Sequence, residues 1–147
     1  MIQAADHVTF AVHDPEPAIA FFAVLGFENV HDTVIDGGEP AAFMGDPAMK
    51  ARHVTLELAG SSPSFQVQLL HFDPPPTEVP LVQSRRVHEG FNHLALRVDD
   101  LAATSASLAA AGLEPLNEPM HFIGRNLQFF RGPEGITLEL VERLDGT

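Results

Sequence analysis

Residues 7–12 alternate, with Val8, Phe10 and Val12 on one side and His7, Thr9 and Ala11 on the other. That period of two predicts a half-buried strand. Asp14-Pro15-Glu16-Pro17 then reads as a helix N-cap with proline in the first turn. Residues 18–25 continue as a helix with Ile19, Phe22 and Leu25 on one face, and Gly26 ends it. Strands follow over 27–35, 52–58 and 65–72, with turns at 36–40 and 60–63. Residues 41–51 carry no clear period. The run Asp73-Pro74-Pro75-Pro76 excludes a helix interior or a central strand, so 73–91 reads as a connector.

The same order then returns. Asn92-His93-Leu94-Ala95-Leu96-Arg97-Val98 echoes Asp6-His7-Val8-Thr9-Phe10-Ala11-Val12. Asp99-Asp100 caps a helix over 101–111, Gly112 stops it, and strands follow near 113–118, 125–131 and 136–142. Each half is a βαβββ module in an α+β chain: 1–72 and 92–142, joined by the connector and followed by a tail at 143–147. Neither module can bury both faces of a small sheet alone, so the two are expected to pack as one domain spanning 1–147.

Alternation also sorts the polar side chains. His7, His93, Gln68 and Glu139 fall on strand faces turned away from the helices. Gln66 shares the face of Gln68 and is the alternative to it. His53, Thr55 and Glu57 are expected on one such face, and Asn126, Gln128 and Phe130 on another. Either histidine alone reads as an ordinary strand residue. At repeat-equivalent positions, with Glu139, they read as ligands. Two imidazoles, one carboxylate and one amide oxygen would be satisfied together by one divalent metal ion, with Zn, Co, Ni, Mn or Fe(II) suited to N/O donors. Only one ligand is charged, so the ion would remain a Lewis acid.

Composition narrows the classes further. Eight Lys+Arg against 20 Asp+Glu gives a net charge of −12, which repels nucleic acid. There is no cysteine, which removes disulfides and thiolate ligands and suits a reducing cytoplasm. No apolar run approaches the roughly 20 residues that span a bilayer, so no membrane association is expected.

The stretches His7–Val12, Phe21–Phe27, Val67–Leu70, Gly90–Val98 and Phe129–Leu140 together resemble the vicinal oxygen chelate superfamily. That superfamily includes glyoxalase I, methylmalonyl-CoA epimerase, fosfomycin and bleomycin resistance proteins, and extradiol dioxygenases. The resemblance implies two βαβββ modules packed into a curved, half-open mixed sheet around a central cavity. It implies His7, Gln68, His93 and Glu139 as metal ligands, in the order closest to the epimerases. It also implies a homodimer.

The expected activity is that of a metal-dependent isomerase, epimerase or lyase. A small oxygenated substrate would chelate the metal, and enolate charge would be stabilised while Glu139 or Glu57 moves a proton. Thr9, His53, Thr55, Arg97, Arg125 and Gln128 are candidate substrate contacts. Two alternatives stay open: a non-haem Fe(II) dioxygenase using His7, His93 and Glu139, and a non-catalytic binding protein for a small molecule or antibiotic.

Overall fold

The computed structural model describes residues 1, 3–75 and 90–144. It divides into two compact units, Met1–Val79 and Pro80–Thr147. Each carries one four-stranded mixed sheet, and the chain is α+β as expected. Most of the expected connector lies outside the described residues.

In the first unit, β1 (His7–Ala11) leads into α1 (Pro15–Val24), β2 (Phe27–Asp36), a short α2 (Gly38–Phe43), β3 (Lys50–Leu58) and β4 (Gln66–Phe72). The sheet order is β1-β4-β3-β2, with β1 parallel to β4 and the other pairs antiparallel. Asp14 caps α1 by accepting a hydrogen bond from the Glu16 N–H at 3.0 Å. Gly26 takes a left-handed φ of 89° and closes the helix through its N–H to Ala23. The buried stripe of α1 is Ala18, Phe21 and Phe22, rather than Ile19, Phe22 and Leu25. It covers Val54, Leu56, Val67 and Leu69 of the sheet, all essentially inaccessible to water. Phe22 sits at the centre, with ring centroids 6.0 Å from Phe10, 5.1 Å from Phe21 and 5.4 Å from Phe27.

The second unit repeats this plan: β5 (Leu94–Val98), α3 (Leu101–Ala110), β6 (Met120–Phe122), β7 (Arg125–Arg131) and β8 (Thr137–Arg143). The order is β5-β8-β7-β6, and β5 is parallel to β8. Asp100 caps α3 through the Ala103 N–H at 2.8 Å. Leu101 and Leu108 of the helix are buried, and α3 packs on β7 and β8, where Phe130, Leu138 and Leu140 are buried.

Three local readings change. Residues 41–43 close α2 instead of lying in an unpatterned stretch. Residues 113–118 form no strand beyond an isolated bridge from Pro115 to Phe130, and the edge strand is 120–122. A two-residue turn, Ile123-Gly124, joins β6 to β7 with φ of 47° and 68°, the positive-φ pattern of a type I′ hairpin. No helix among the described residues is long and apolar enough to cross a membrane.

Arg52 of β3 ties the helix to the sheet. Its guanidinium donates to Glu16 of α1 at 2.7 Å and to both carboxylate oxygens of Asp32 on β2, at 3.0 and 2.7 Å. That bidentate bond holds the Asp32 carboxyl below its ordinary range and raises the guanidinium further. A depressed carboxyl stabilises the fold above its unfolded-state pKa and loses that contribution as pH falls through the folded value. Asp32 is about one-third exposed, so screening limits the effect. Arg52→Met is expected to cost about 1 kcal/mol or less near pH 7. The difference from the parent should shrink as pH drops below the ordinary carboxylate range. Chemical denaturation at pH 7 and pH 3 checks both the sign and the window.

Candidate functional site

With α1 and α3 covering one face of each sheet, the other face of each carries a set of polar strand residues. In the first unit, that face carries His7 and Thr9 from β1, His53, Thr55 and Glu57 from β3, and Gln66 and Gln68 from β4. The ladder puts His7 level with Gln66, Thr9 with Gln68, Thr55 with Gln68 and Glu57 with Gln66. Gln68 Oε1 lies 3.2 Å from His53 Nε2 and 3.5 Å from Thr9 Oγ1. Gln66 donates from its amide nitrogen to Glu57 Oε2 at 3.1 Å. The two glutamines therefore have different partners.

In the second unit, Ala95 is level with Glu139 and Phe129 is paired with Glu139. His93 directly precedes β5 instead of opening it. Its Nε2 is 3.4 Å from Glu139 Oε2, and its ring meets Phe129 edge-on with centroids 5.2 Å apart. The Glu139 side chain is only 13% exposed, so its carboxylate needs a partner.

The two registers resolve which glutamine corresponds to Glu139. Thr9 is two residues after His7 and level with Gln68, while Ala95 is two residues after His93 and level with Glu139. Gln68 thus stands to His7 as Glu139 stands to His93. Gln66 corresponds to Thr137, which is no ligand type.

Both histidines are held by the residue before them. His7 Nδ1 is 2.6 Å from Asp6 Oδ1, and His93 Nδ1 is 2.8 Å from Asn92 Oδ1. A ring that donates from Nδ1 presents Nε2 as its free donor atom, the arrangement that orients a metal-ligating imidazole. At His93 that leaves an Nε2 lone pair facing a carboxylate oxygen. Only a proton or a cation satisfies both. Two donors each about 2.0–2.1 Å from one ion at a tetrahedral angle are about 3.3–3.4 Å apart, the separation seen here. The donor chemistry therefore fits a divalent ion. Among the described residues, no group of three or more His, Asp or Glu side chains is gathered closely enough to hold a metal ion.

Gln128 requires a correction. It pairs with Leu140 on the helix side of the sheet. There its amide oxygen accepts from Ser105 Oγ of α3 at 2.5 Å, and its nitrogen donates to the Asn117 carbonyl at 2.9 Å. It is 5% exposed and consumed by structural bonds. Asn126 and Phe130 share that side, Asn126 donating to Glu142 and Phe130 lying in the core. The face of β7 shared with Glu139 carries Arg125, Leu127, Phe129 and Arg131. Sequence reasoning missed Phe129, Asp6 and Asn92. The Asx-His dipeptide, present in both copies of the repeat, was the available signal for the last two.

A model of the glyoxalase/bleomycin resistance protein/dioxygenase superfamily matches residues 4–140. The chain belongs to this superfamily. A glyoxalase family protein from Bacillus cereus shares its fold with a TM-score of 0.83 at 21% identity, over 98% of this chain and 96% of that one. A mutant glyoxalase I from Zea mays aligns at 0.67 and 19% identity, over 95% of this chain and 45% of the maize chain. An antibiotic binding protein from Streptomyces aligns at 0.66 and 22% identity, over 97% of both chains. These identities establish a common fold and no common reaction. No curated protein matches the chain.

The histidine orientation is directly measurable. At alkaline pH, where free imidazoles are neutral, nitrogen-15 spectra of metal-free protein are expected to show Nδ1–H for both His7 and His93. Asn92→Ala should release His93 toward the Nε2–H form, which can donate to Glu139. An unchanged tautomer in that variant would remove Asn92 as the orienting group.

Proposed function

We propose that this protein is a metal-dependent isomerase, epimerase or lyase acting on a small oxygenated substrate, with His7, Gln68, His93 and Glu139 as the metal ligands. The observation that carries the reading is the twice-built set: an Asx-held histidine with an oxygen donor two ladder positions further on. Members of the superfamily typically bind a divalent metal and often dimerise, and a homodimer is part of the reading. Zn, Co, Ni, Mn and Fe(II) all suit the N/O donors. When bound, such an ion supplies Lewis-acid polarisation of a substrate carbonyl, which acidifies the neighbouring C–H.

The chain's own residues supply the rest. Glu57, positioned by the Gln66 amide, is the carboxylate that takes the proton. Because Glu57 accepts that bond on Oε2, Oε1 is the atom assigned to the transfer. Thr9, His53 and Thr55 offer hydrogen bonds to substrate oxygens from the same face. Arg97 and Arg125 are the substrate-binding cations. Glu139, assigned as a ligand, is the other candidate carboxylate for the proton transfer.

Metal analysis of protein purified without chelator is expected to show a divalent ion bound in stoichiometric amount. His93→Ala should abolish that binding. Gln68→Ala should weaken it while Gln66→Ala retains it. Equal metal content in the parent and His93→Ala would overturn the ligand assignment. Oxygen uptake after anaerobic iron loading would replace the isomerase with a dioxygenase. A tight small-molecule complex indifferent to chelator, in protein that lacks metal, would point to a binding protein instead.

Screening 2-oxo acids, hemithioacetals and acyl thioesters for solvent deuterium exchange tests the chemistry. With a substrate in hand, Glu57→Gln is expected to lower turnover about 10²–10⁴-fold at unchanged metal content.

A further inference from the structure

The described part of the second unit contains four arginines, Arg97, Arg125, Arg131 and Arg143. All four lie in strands, and all four fall on the sheet face that carries Glu139. Arg125 is directly opposite Arg143, Arg131 is opposite Thr137, and Arg97 is level with Val141, all positions in phase with Glu139. Glu139 is the only acidic strand residue on that face among the described residues. This is an unusual local balance in a chain of net charge −12. In the first unit, by contrast, Lys50 pairs with Asp36 and Arg52 with Glu16 and Asp32. Among the described residues, Arg97 and Arg125 enter no ion pair.

Like charges directly opposite one another on neighbouring strands are destabilising. Clustered guanidinium groups gain most from an oxyanion, which they can bind through paired N–H donors. The cluster of Arg97, Arg125 and Arg143 lies toward one end of the sheet. At the strand rise of about 3.3 Å per residue, it begins roughly 7 Å and ends roughly 13 Å beyond the level of Glu139. Alongside it on the same face run Met120, Phe122, Leu127 and Phe129, with Phe122 paired to Arg125. Met120 and Phe122 are about half exposed. Charge and apolar surface are therefore presented side by side.

We propose that this face binds a small molecule with an apolar body and one oxyanion, a carboxylate or a phosphate, held by Arg97 and Arg125 with Arg143 beside them. The inference deepens the function proposed above, which already gives Arg97 and Arg125 to the substrate, and it takes from that reading the placing of the molecule's reactive end at Glu139.

Two fluorescent probes of similar shape separate charge from apolar contact: 8-anilinonaphthalene-1-sulfonate, an anion, and the uncharged N-phenyl-1-naphthylamine. Titrations use the full-length protein after chelator treatment, so no metal contributes. The double variant Arg97→Gln/Arg125→Gln is expected to bind the anionic dye at least about tenfold more weakly and the neutral dye as the parent does. Each single variant should give an intermediate loss, which keeps the test decisive if the double variant fails to fold. Displacement of the anionic dye by 1-naphthoate or by 1-naphthyl phosphate supports the site and tells a carboxylate from a phosphate. An unchanged anionic-dye affinity in the single and double variants, an equal loss of both dyes, or displacement by neither naphthyl anion would overturn it. Metal content measured on the same preparations separates the two claims. Failure there with success here removes the metalloenzyme and leaves the anion site; the reverse removes the anion site and the substrate role of the two arginines and leaves the metal ligands standing.

Discussion

Each sheet gives one face to a single apolar helix, and the period of two along every strand then dictates where everything else points. Phe22 in the first unit and Leu101 and Leu108 in the second, against Phe130, Leu138 and Leu140, make that contact exclusive of water. A strand slipped by one residue would bring His7, Gln68 or Glu139 against the helix and expel the leucines and valines. Burial of unpaired polar groups costs on the order of 1–3 kcal/mol each, so the alternate register is strongly disfavoured. The helix contact is therefore what keeps the chemistry on the far side, although no helical residue takes part in it.

The two units distribute charge in opposite ways around the same scaffold. In the first, a carboxylate, Asp6, stands behind the histidine and a carboxamide, Gln68, stands at the outer position. In the second, a carboxamide, Asn92, stands behind and a carboxylate, Glu139, stands outside. Each unit thus offers one imidazole, one carboxylate and one carboxamide. A carboxylate behind an imidazole raises its basicity more than an amide does, so the unit whose outer residue is uncharged has the more basic ring.

Much of this was legible before any coordinates. The alternation around Val8, Phe10, Leu94 and Leu96 puts both histidines on the side away from the helices, where the structure has them, and Asp14 and Asp100 cap the helices they are expected to cap. Gln128 was misplaced because β7 carries Phe129 and Phe130 in succession. With an aromatic on each face, alternation alone has no preferred phase. The bond from Ser105, distant in sequence, decides it. Residues 113–118 read as a strand because the repeat places one after the Gly112 stop. Their backbone groups instead meet β7 at separate points, with Leu116 donating to the Phe129 carbonyl. The choice between Gln66 and Gln68 needed the parallel registers of β1 with β4 and of β5 with β8, which are contacts across more than forty residues.

The hairpin tip at Ile123 has a cost of its own. A branched side chain in the left-handed region is strained by about 1–2 kcal/mol, and this one is 77% exposed, so packing returns little. The edge strand it closes has only three residues. Fraying of the second sheet should therefore begin at this corner, with β6 peeling away while β7 and β8 stay zipped to each other. The exposed apolar rim formed by Met120 and Phe122 is thus the least anchored part of an otherwise well-packed sheet.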